Sequence, residues 1–194
     1  MKLLHIDSSI LGQNSASREL SAAIVARRQA EVPGLQVTYR DLAGAFLPHL
    51  SGASLAGSDA REVAEADALM EEFLAADVVV IGVPMYNFNI PTQLKGWIDR
   101  ISVAGKTFRY TENGPEGLAG GKQVIVAGAY GGFHSGDVPT NFIEPYLRFV
   151  FGFWGIQDVE FITAEGLAVS PQQRARSMQA AHERIAGARE KAAA

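Results

Sequence analysis

The sequence has no cysteine among its 194 residues. That excludes a disulfide framework, a thiolate zinc site, an iron–sulfur cluster and a cysteine nucleophile. It has no surplus of basic charge either: 17 lysines and arginines against 21 aspartates and glutamates give a formal net charge of −4, which carries no electrostatic footprint for nucleic acid. No run of roughly 18 apolar residues is present, the length a membrane-spanning helix needs. The opening MKLLHIDSSI reaches Asp7 and two serines after too few apolar residues for the hydrophobic region of a signal peptide. Neither an internal repeat nor a linker stands out. What is there, 47% hydrophobic and 20% charged residues, is the composition of an ordinary globular chain. The expectation is one cytoplasmic domain over residues 1–194.

Short apolar runs alternate with stretches of helical period, the sign of an α/β fold. Strands are expected at Leu3–Ile6, Gln36–Arg40, Asp77–Val83, Gln123–Ala127 and Val159–Thr163. The third, an unbroken β-branched run, suits a central parallel strand covered on both faces. Helices are expected from Ser15 to Glu31, from Ser58 to Leu74, from Pro91 onward, from near Pro145 to Gly152, and after Ser170. In the helix opened by Pro91, Leu94, Trp97, Ile98 and Ile101 fall at i, i+3, i+4 and i+7. The last helix reads as a capping box of Ser170, Pro171 and Gln173. Residues 43–57 read as a surface excursion, and Phe108 to Pro115 as a protruding loop or hairpin. Five strands separated by helices predict a doubly wound parallel sheet of order 2-1-3-4-5 with helices on both faces. In such sheets ligands sit beyond the carboxyl ends of the strands.

Three loops lie at those ends. After strand one, Ser9, Ser15 and Ser17 bring hydroxyls to a helix start, where unpaired N–H groups and the helix dipole favour an anion. Ser15 or Asn14 would also suffice as a plain helix cap. Arg18, unfavourable in a first turn by itself, reads as a partner of a bound anion or as a solvated side chain. After strand three, Met85, Tyr86, Asn87, Phe88 and Asn89 can form a flat apolar wall with amides along a ring edge, a loop tucked into the core, or a subunit contact. After strand four, Ala129, Tyr130, Gly131 and Gly132 make either a glycine turn or, through φ > 0 and close backbone approach, a concavity of N–H groups, with His134 nearby. Asp7 reads as a turn or cap carboxylate.

Other chemistries lack their patterns. Gly120-Gly121-Lys122-Gln123 has neither the hydroxyl nor the first glycine of a P-loop, and no GxGxxG follows strand one. Histidines 5, 49, 134 and 182 show no metal-ligand spacing. Gly52 to Ala56 lacks the second glycine of a nucleophile elbow.

Ser8-Ser9-Ile10 with Ser15-Ala16-Ser17, the run from Pro84 to Lys95, Thr107 to Leu118, Gly131-Gly132 with His134, and Gly152 to Ile156 together resemble the bacterial FMN-dependent NADH:quinone oxidoreductase and azoreductase family, which has the flavodoxin-like fold. The likeness covers residues 1 to about 168. It implies one FMN per subunit, with Ser9, Ser15, Ala16 and Ser17 around the phosphate. Met85, Tyr86, Asn87 and Phe88 would lie along the isoalloxazine, and Ala129, Tyr130, Gly131 and Gly132 at its pyrimidine edge. Two departures stand out: Ala16 replaces the family's usual glutamine, and Ala129-Tyr130 its usual Ser-Arg. The resemblance further implies a homodimer with the flavin at the subunit boundary, NADH or NADPH as donor, and quinones or azo compounds as acceptors. Phe88, Tyr110 and Phe153 would contact those acceptors. No protein group need act as nucleophile; hydride would pass through flavin N5 in a ping-pong sequence, with His134 stabilising the reduced flavin. The rival reading is a flavodoxin-like electron carrier without a small-molecule substrate of its own.

Overall fold

The computed structural model describes residues 1–44, 47–134 and 140–187. Strands β1 (Lys2–Asp7), β2 (Gln36–Asp41), β3 (Val78–Pro84), β6 (Gln123–Ala129) and β7 (Asp158–Ala164) form one parallel sheet, ordered β2-β1-β3-β6-β7. Two further strands, β4 (Phe108–Thr111) and β5 (Gly114–Gly117), pair as an antiparallel hairpin outside it. The expected order counted only five strands. Numbered over the sheet members alone, the observed order is the same, and the hairpin accounts for the extra labels.

The helices are α1 (Ala16–Glu31), α2 (Gly52–Leu55), α3 (Ala60–Ala75), α4 (Thr92–Ile101), α5 (Ile143–Phe153) and α6 (Pro171–Gly187). Alternation along each strand divides the core in two. Leu4, Ile6, Val79, Ile81, Val83, Val124 and Val126 face α3, α4 and α5, where Phe73, Trp97, Phe151 and Trp154 pack. Leu3, Val78, Val80, Ile125 and Ala127 face α1 and α6, through Leu20, Ile24, Met178 and Ile185. Every residue of β3 is buried, and each of its large apolar side chains contributes about 1.5–3 kcal/mol on leaving water.

Local chemistry sets several boundaries differently from expectation. Pro91 precedes α4 instead of opening it: its ψ of 146° is extended, and the helix begins at Thr92. Helix α5 starts two residues before Pro145 because Asn141 Oδ1 accepts from the N–H groups of Ile143 (3.1 Å) and Glu144 (3.3 Å). A proline in that first turn withholds no needed donor. Only half of the expected capping box forms at α6. Ser170 Oγ accepts from Gln173 N at 3.1 Å, whereas the Gln173 amide turns forward to Ser177 Oγ at 3.0 Å. In the 43–57 excursion, a reciprocal Ser51–Ser54 box caps α2, and residues 45 and 46 lie outside the described residues.

Gly82 in β3 is what lets α1 sit so close to the sheet. A Cβ there would run into Asp7 Oδ1 and the Ser17 carbonyl. Glycine thus brings the start of α1 down onto the carboxyl ends of the central strands.

Candidate functional site

The loops after β1, β3 and β6 meet at one end of the sheet. The first is pinned by its own serines. Ser8 Oγ donates to the Gly82 carbonyl at 2.7 Å, tying the loop to β3. Ser15 caps α1, accepting from Arg18 N at 3.3 Å, and its hydroxyl lies 3.1 Å from that of Ser17. Ser9, Ser15, Ala16 and Ser17 are all buried. The N–H groups of Ala16 and Ser17, in the first turn of α1, have no acceptor among the described residues. Ser15 is thus a cap, and beside it stand two N–H donors and a pair of hydroxyls of the kind an anion would satisfy, so the cap does not exclude an anion there.

Arg18 and Asp7 depart from expectation. The Arg18 guanidinium is neither solvated nor turned toward an anion. Its Nη2 donates to Asp41 Oδ1 (2.6 Å) and Ser9 O (2.7 Å), its Nε also to Ser9 O (3.2 Å), and its Nη1 to Tyr39 Oη (3.0 Å). Hydrogen bonding to Arg18 holds the Asp41 carboxyl below its ordinary value. Asp7 is no turn carboxylate but the centre of a buried network. It accepts from Ser21 Oγ (2.8 Å) and Tyr39 Oη (3.1 Å) and lies 3.8 Å from Arg18 Nη1. His5 Nε2 lies 3.0 Å from Ser21 Oγ. Burial, with Asp7 opposite, pushes the Tyr39 phenol up to about 12.

In the second loop the chain reverses within two residues. Tyr86 and Asn89 exchange backbone hydrogen bonds (3.0 and 3.1 Å) around Asn87 at φ 49° and Phe88 at φ 68°. Left-handed backbone is tolerable for asparagine and rare for phenylalanine. The strain presents Phe88 outward, 53% exposed. Met85 N donates to the Ala129 carbonyl at 3.1 Å, so the second loop hangs on the third. A cleft of about 530 Å³ opens beside this turn, with Ile10, Tyr86, Asn87, Gln93, Lys95 and Tyr146 in its walls.

The third loop overturns one expectation about its glycines. Neither Gly131 nor Gly132 takes a positive φ. Their carbonyls instead accept from Ala168 and Gly166, both at 2.9 Å, while their N–H groups have no acceptor among the described residues. The free donors arise from this docking onto residues 166–168, not from a left-handed turn. Tyr130 contributes backbone only: its side chain is fully buried. Burial pushes that phenol upward. His134 is brought to the site, its ring edge-on to Phe88 (6.0 Å) and to Tyr130 (5.8 Å), with Nδ1 2.8 Å from Thr140 Oγ1.

Tyr110 and Phe153 are not brought together with Phe88. They form a separate aromatic group around Phe108, at 5.4 and 4.5 Å, with no ring contact to Phe88 or His134 among the described residues. Sequence reasoning passed over Tyr39 and Asp41. The signal was present, since Asp7 and Asp41 both end strands and pair in register, but the pairing of those strands is a property of the fold.

The donor set fits a flavin mononucleotide: paired N–H groups and hydroxyls for a phosphate, an aromatic turn for a ring system, and unpaired backbone donors where a ring edge would come. A profile described as flavodoxin-like fold matches residues 1–188. The chain is 60% identical over 174 residues to an FMN-dependent NADH:quinone oxidoreductase of Stenotrophomonas maltophilia, covering 90% of this chain and 89% of that one. A solved azoreductase from Bacillus anthracis superposes with a TM-score of 0.88 at 30% identity, covering 97% and 98% of the two chains. An FMN-dependent NADH-azoreductase of the same species, in complex with FMN, superposes with a TM-score of 0.88 at 25% identity over 100% and 99%.

Proposed function

The chain belongs to the flavodoxin-like family that includes the FMN-dependent NADH:quinone oxidoreductases, and we propose that it is itself such an enzyme, taking electrons from NADH and reducing quinones and aromatic azo compounds. The observation that carries this reading is the turn at Asn87–Phe88. An exposed phenylalanine held in a strained conformation, beside His134 and the free Gly131 and Gly132 N–H groups, is an arrangement for gripping a planar ring.

FMN, when bound, would supply the redox chemistry, two-electron transfer between a nicotinamide donor and the acceptor. The protein's own groups bind and orient. The Ala16 and Ser17 N–H groups with the Ser9, Ser15 and Ser17 hydroxyls would hold the phosphate. Met85, Tyr86, Asn87 and Phe88 would lie along the ring system. The Gly131 and Gly132 N–H groups, with Ala129 and Tyr130 contributing backbone and His134 alongside, would favour negative charge at the ring edge. In this reading donor and acceptor would take turns at the exposed Phe88 ring, a ping-pong order.

The whole of residues 1–194 acts in this reading as one cytoplasmic domain, and the working unit is a homodimer. Phe142, Tyr146, Phe149 and Phe153 fall at i, i+4, i+7 and i+11 along α5 and its cap, with Phe142 56% and Phe149 73% exposed. An aromatic stripe of this kind calls for a partner. In a dimer, Tyr110 and Phe153 from one chain complete the acceptor pocket at Phe88 of the other. The direct test mixes purified protein, FMN and NADH with menadione or an azo dye. Oxidation of NADH that speeds up when acceptor is added supports the reading; a protein that binds no FMN overturns it.

A further inference from the structure

One peptide unit in this site is held from both sides. The Ser9 carbonyl accepts two N–H bonds from Arg18, at 2.7 and 3.2 Å. The Ile10 N–H of the same peptide donates to Tyr86 Oη at 3.2 Å, and Tyr86 Oη also lies 3.3 Å from Ser9 Oγ. A trans peptide is planar, with its C=O and N–H pointing in opposite directions. Arg18 and Tyr86 therefore grip opposite edges of one rigid plate and fix its rotation. Arg18 reaches it from the first turn of α1, Tyr86 from the loop after β3. The plate is the joint between the two loops that hold the two ends of the cofactor.

The placing of Arg18 is informative because it runs against the helix dipole. Asp41 at 2.6 Å and Asp7 at 3.8 Å hold it there. Without it, Asp41 would lose its cation and Asp7 would keep only His5, at 3.6 Å, in the loop region where a phosphate dianion would come. We propose that Arg18 is a positioning residue for the cofactor phosphate. It fixes the Ser9–Ile10 peptide against Tyr86, setting the phosphate loop relative to the ring loop, and it neutralises Asp7 and Asp41 behind the anion. Arg18 does not itself touch the phosphate. The inference rests on the FMN reading above.

The test titrates apoprotein with FMN and with riboflavin, which lacks the phosphate, following the flavin fluorescence. Four proteins are compared: the native chain, Arg18→Gln, Tyr86→Phe and the double variant. Arg18→Gln is expected to weaken FMN by roughly 10- to 100-fold, the scale of lost hydrogen bonds to a charged group, and riboflavin by less than about 3-fold. Because one plate needs both grips, the double variant is expected to bind FMN little worse than the weaker single variant. Equal losses for the two flavins, or effects that simply multiply, overturn the proposal. A native protein that fails to prefer FMN over riboflavin overturns the functional reading itself, which is a separate result. If Arg18→Gln apoprotein melts more than about 5 °C below native, Arg18→Lys replaces it in the comparison. Lysine keeps the charge but cannot hold one oxygen with two N–H groups, so FMN binding should still fall several-fold; native-like binding by the lysine variant overturns the grip.

Discussion

Phe88 occupies backbone that glycine would adopt without cost, and its ring is mostly in solvent. Phe88→Gly should therefore stabilise the apoprotein, by about 1 kcal/mol from relieved strain, while raising the KM for menadione as the stacking surface disappears. Melting curves beside steady-state kinetics read both effects, and a variant that loses stability as well would remove the strain argument. Asp41 gives the pH prediction. Its folded value lies below the ordinary 3.8, chiefly through the hydrogen bond from Arg18. The stability it lends is thus fully present above pH 3.8 and lost as pH falls through the lower folded value. Asp41→Asn should flatten that part of the acid-unfolding profile, by no more than about 1 kcal/mol for a partly exposed pair. The hydroxyls and aromatics of the site were legible as residue types at the ends of strands. The role of Arg18 was not. A cation in a first turn looks misplaced until Asp41, 23 residues later, is seen to end the neighbouring strand.

At the scale of elements, the strands were the most legible part, because buried parallel strands leave continuous β-branched runs such as Val78 to Val83. Helix α1 was harder to read. Its buried face includes Ala16, Ser17 and Ser21 beside Leu20, Ile24 and Val25. Small residues there permit close approach, and a hydrophobic stripe does not record it. Gly82 is the matching half of that contact. Gly82→Ala should cost about 1–3 kcal/mol through overpacking and should lift the first turn of α1, so that FMN binding weakens along with the melting temperature. The β4–β5 hairpin leans on a second glycine contact. A Cβ at Gly117 would run into the backbone of Gly155. Gly117→Ala should leave the sheet intact while freeing the hairpin, seen as faster proteolysis within residues 108–117 and an unchanged far-ultraviolet spectrum. Protection equal to native would show that the contact does not anchor it.

At the scale of the molecule, two aromatic groups differ in exposure: a closed cluster packed on one face of the sheet, and a stripe along α5 that is open at Phe142 and Phe149. Phe149→Glu places a charge in the middle of the stripe without disturbing the core, since that side chain is 73% exposed. If the proposed dimer forms through this stripe, sedimentation should report a dimer for the native chain and a monomer for the variant, with menadione reduction falling as Tyr110 and Phe153 lose access to the neighbouring site. A dimer that persists in the variant would place the interface elsewhere. The closed cluster has an optical consequence. Both tryptophans of the chain, Trp97 and Trp154, are fully buried, their rings 6.4 Å apart, and neither indole N–H has a hydrogen-bond partner among the described residues. Indoles screened from water and left unbonded emit at the short-wavelength end of the tryptophan range, and the long-wavelength side of that emission overlaps the near-ultraviolet absorption band of a flavin. A flavin anywhere at the carboxyl end of this sheet is within one domain's width of both, so the native chain carries its own optical gauge of cofactor occupancy, dimming as the site fills.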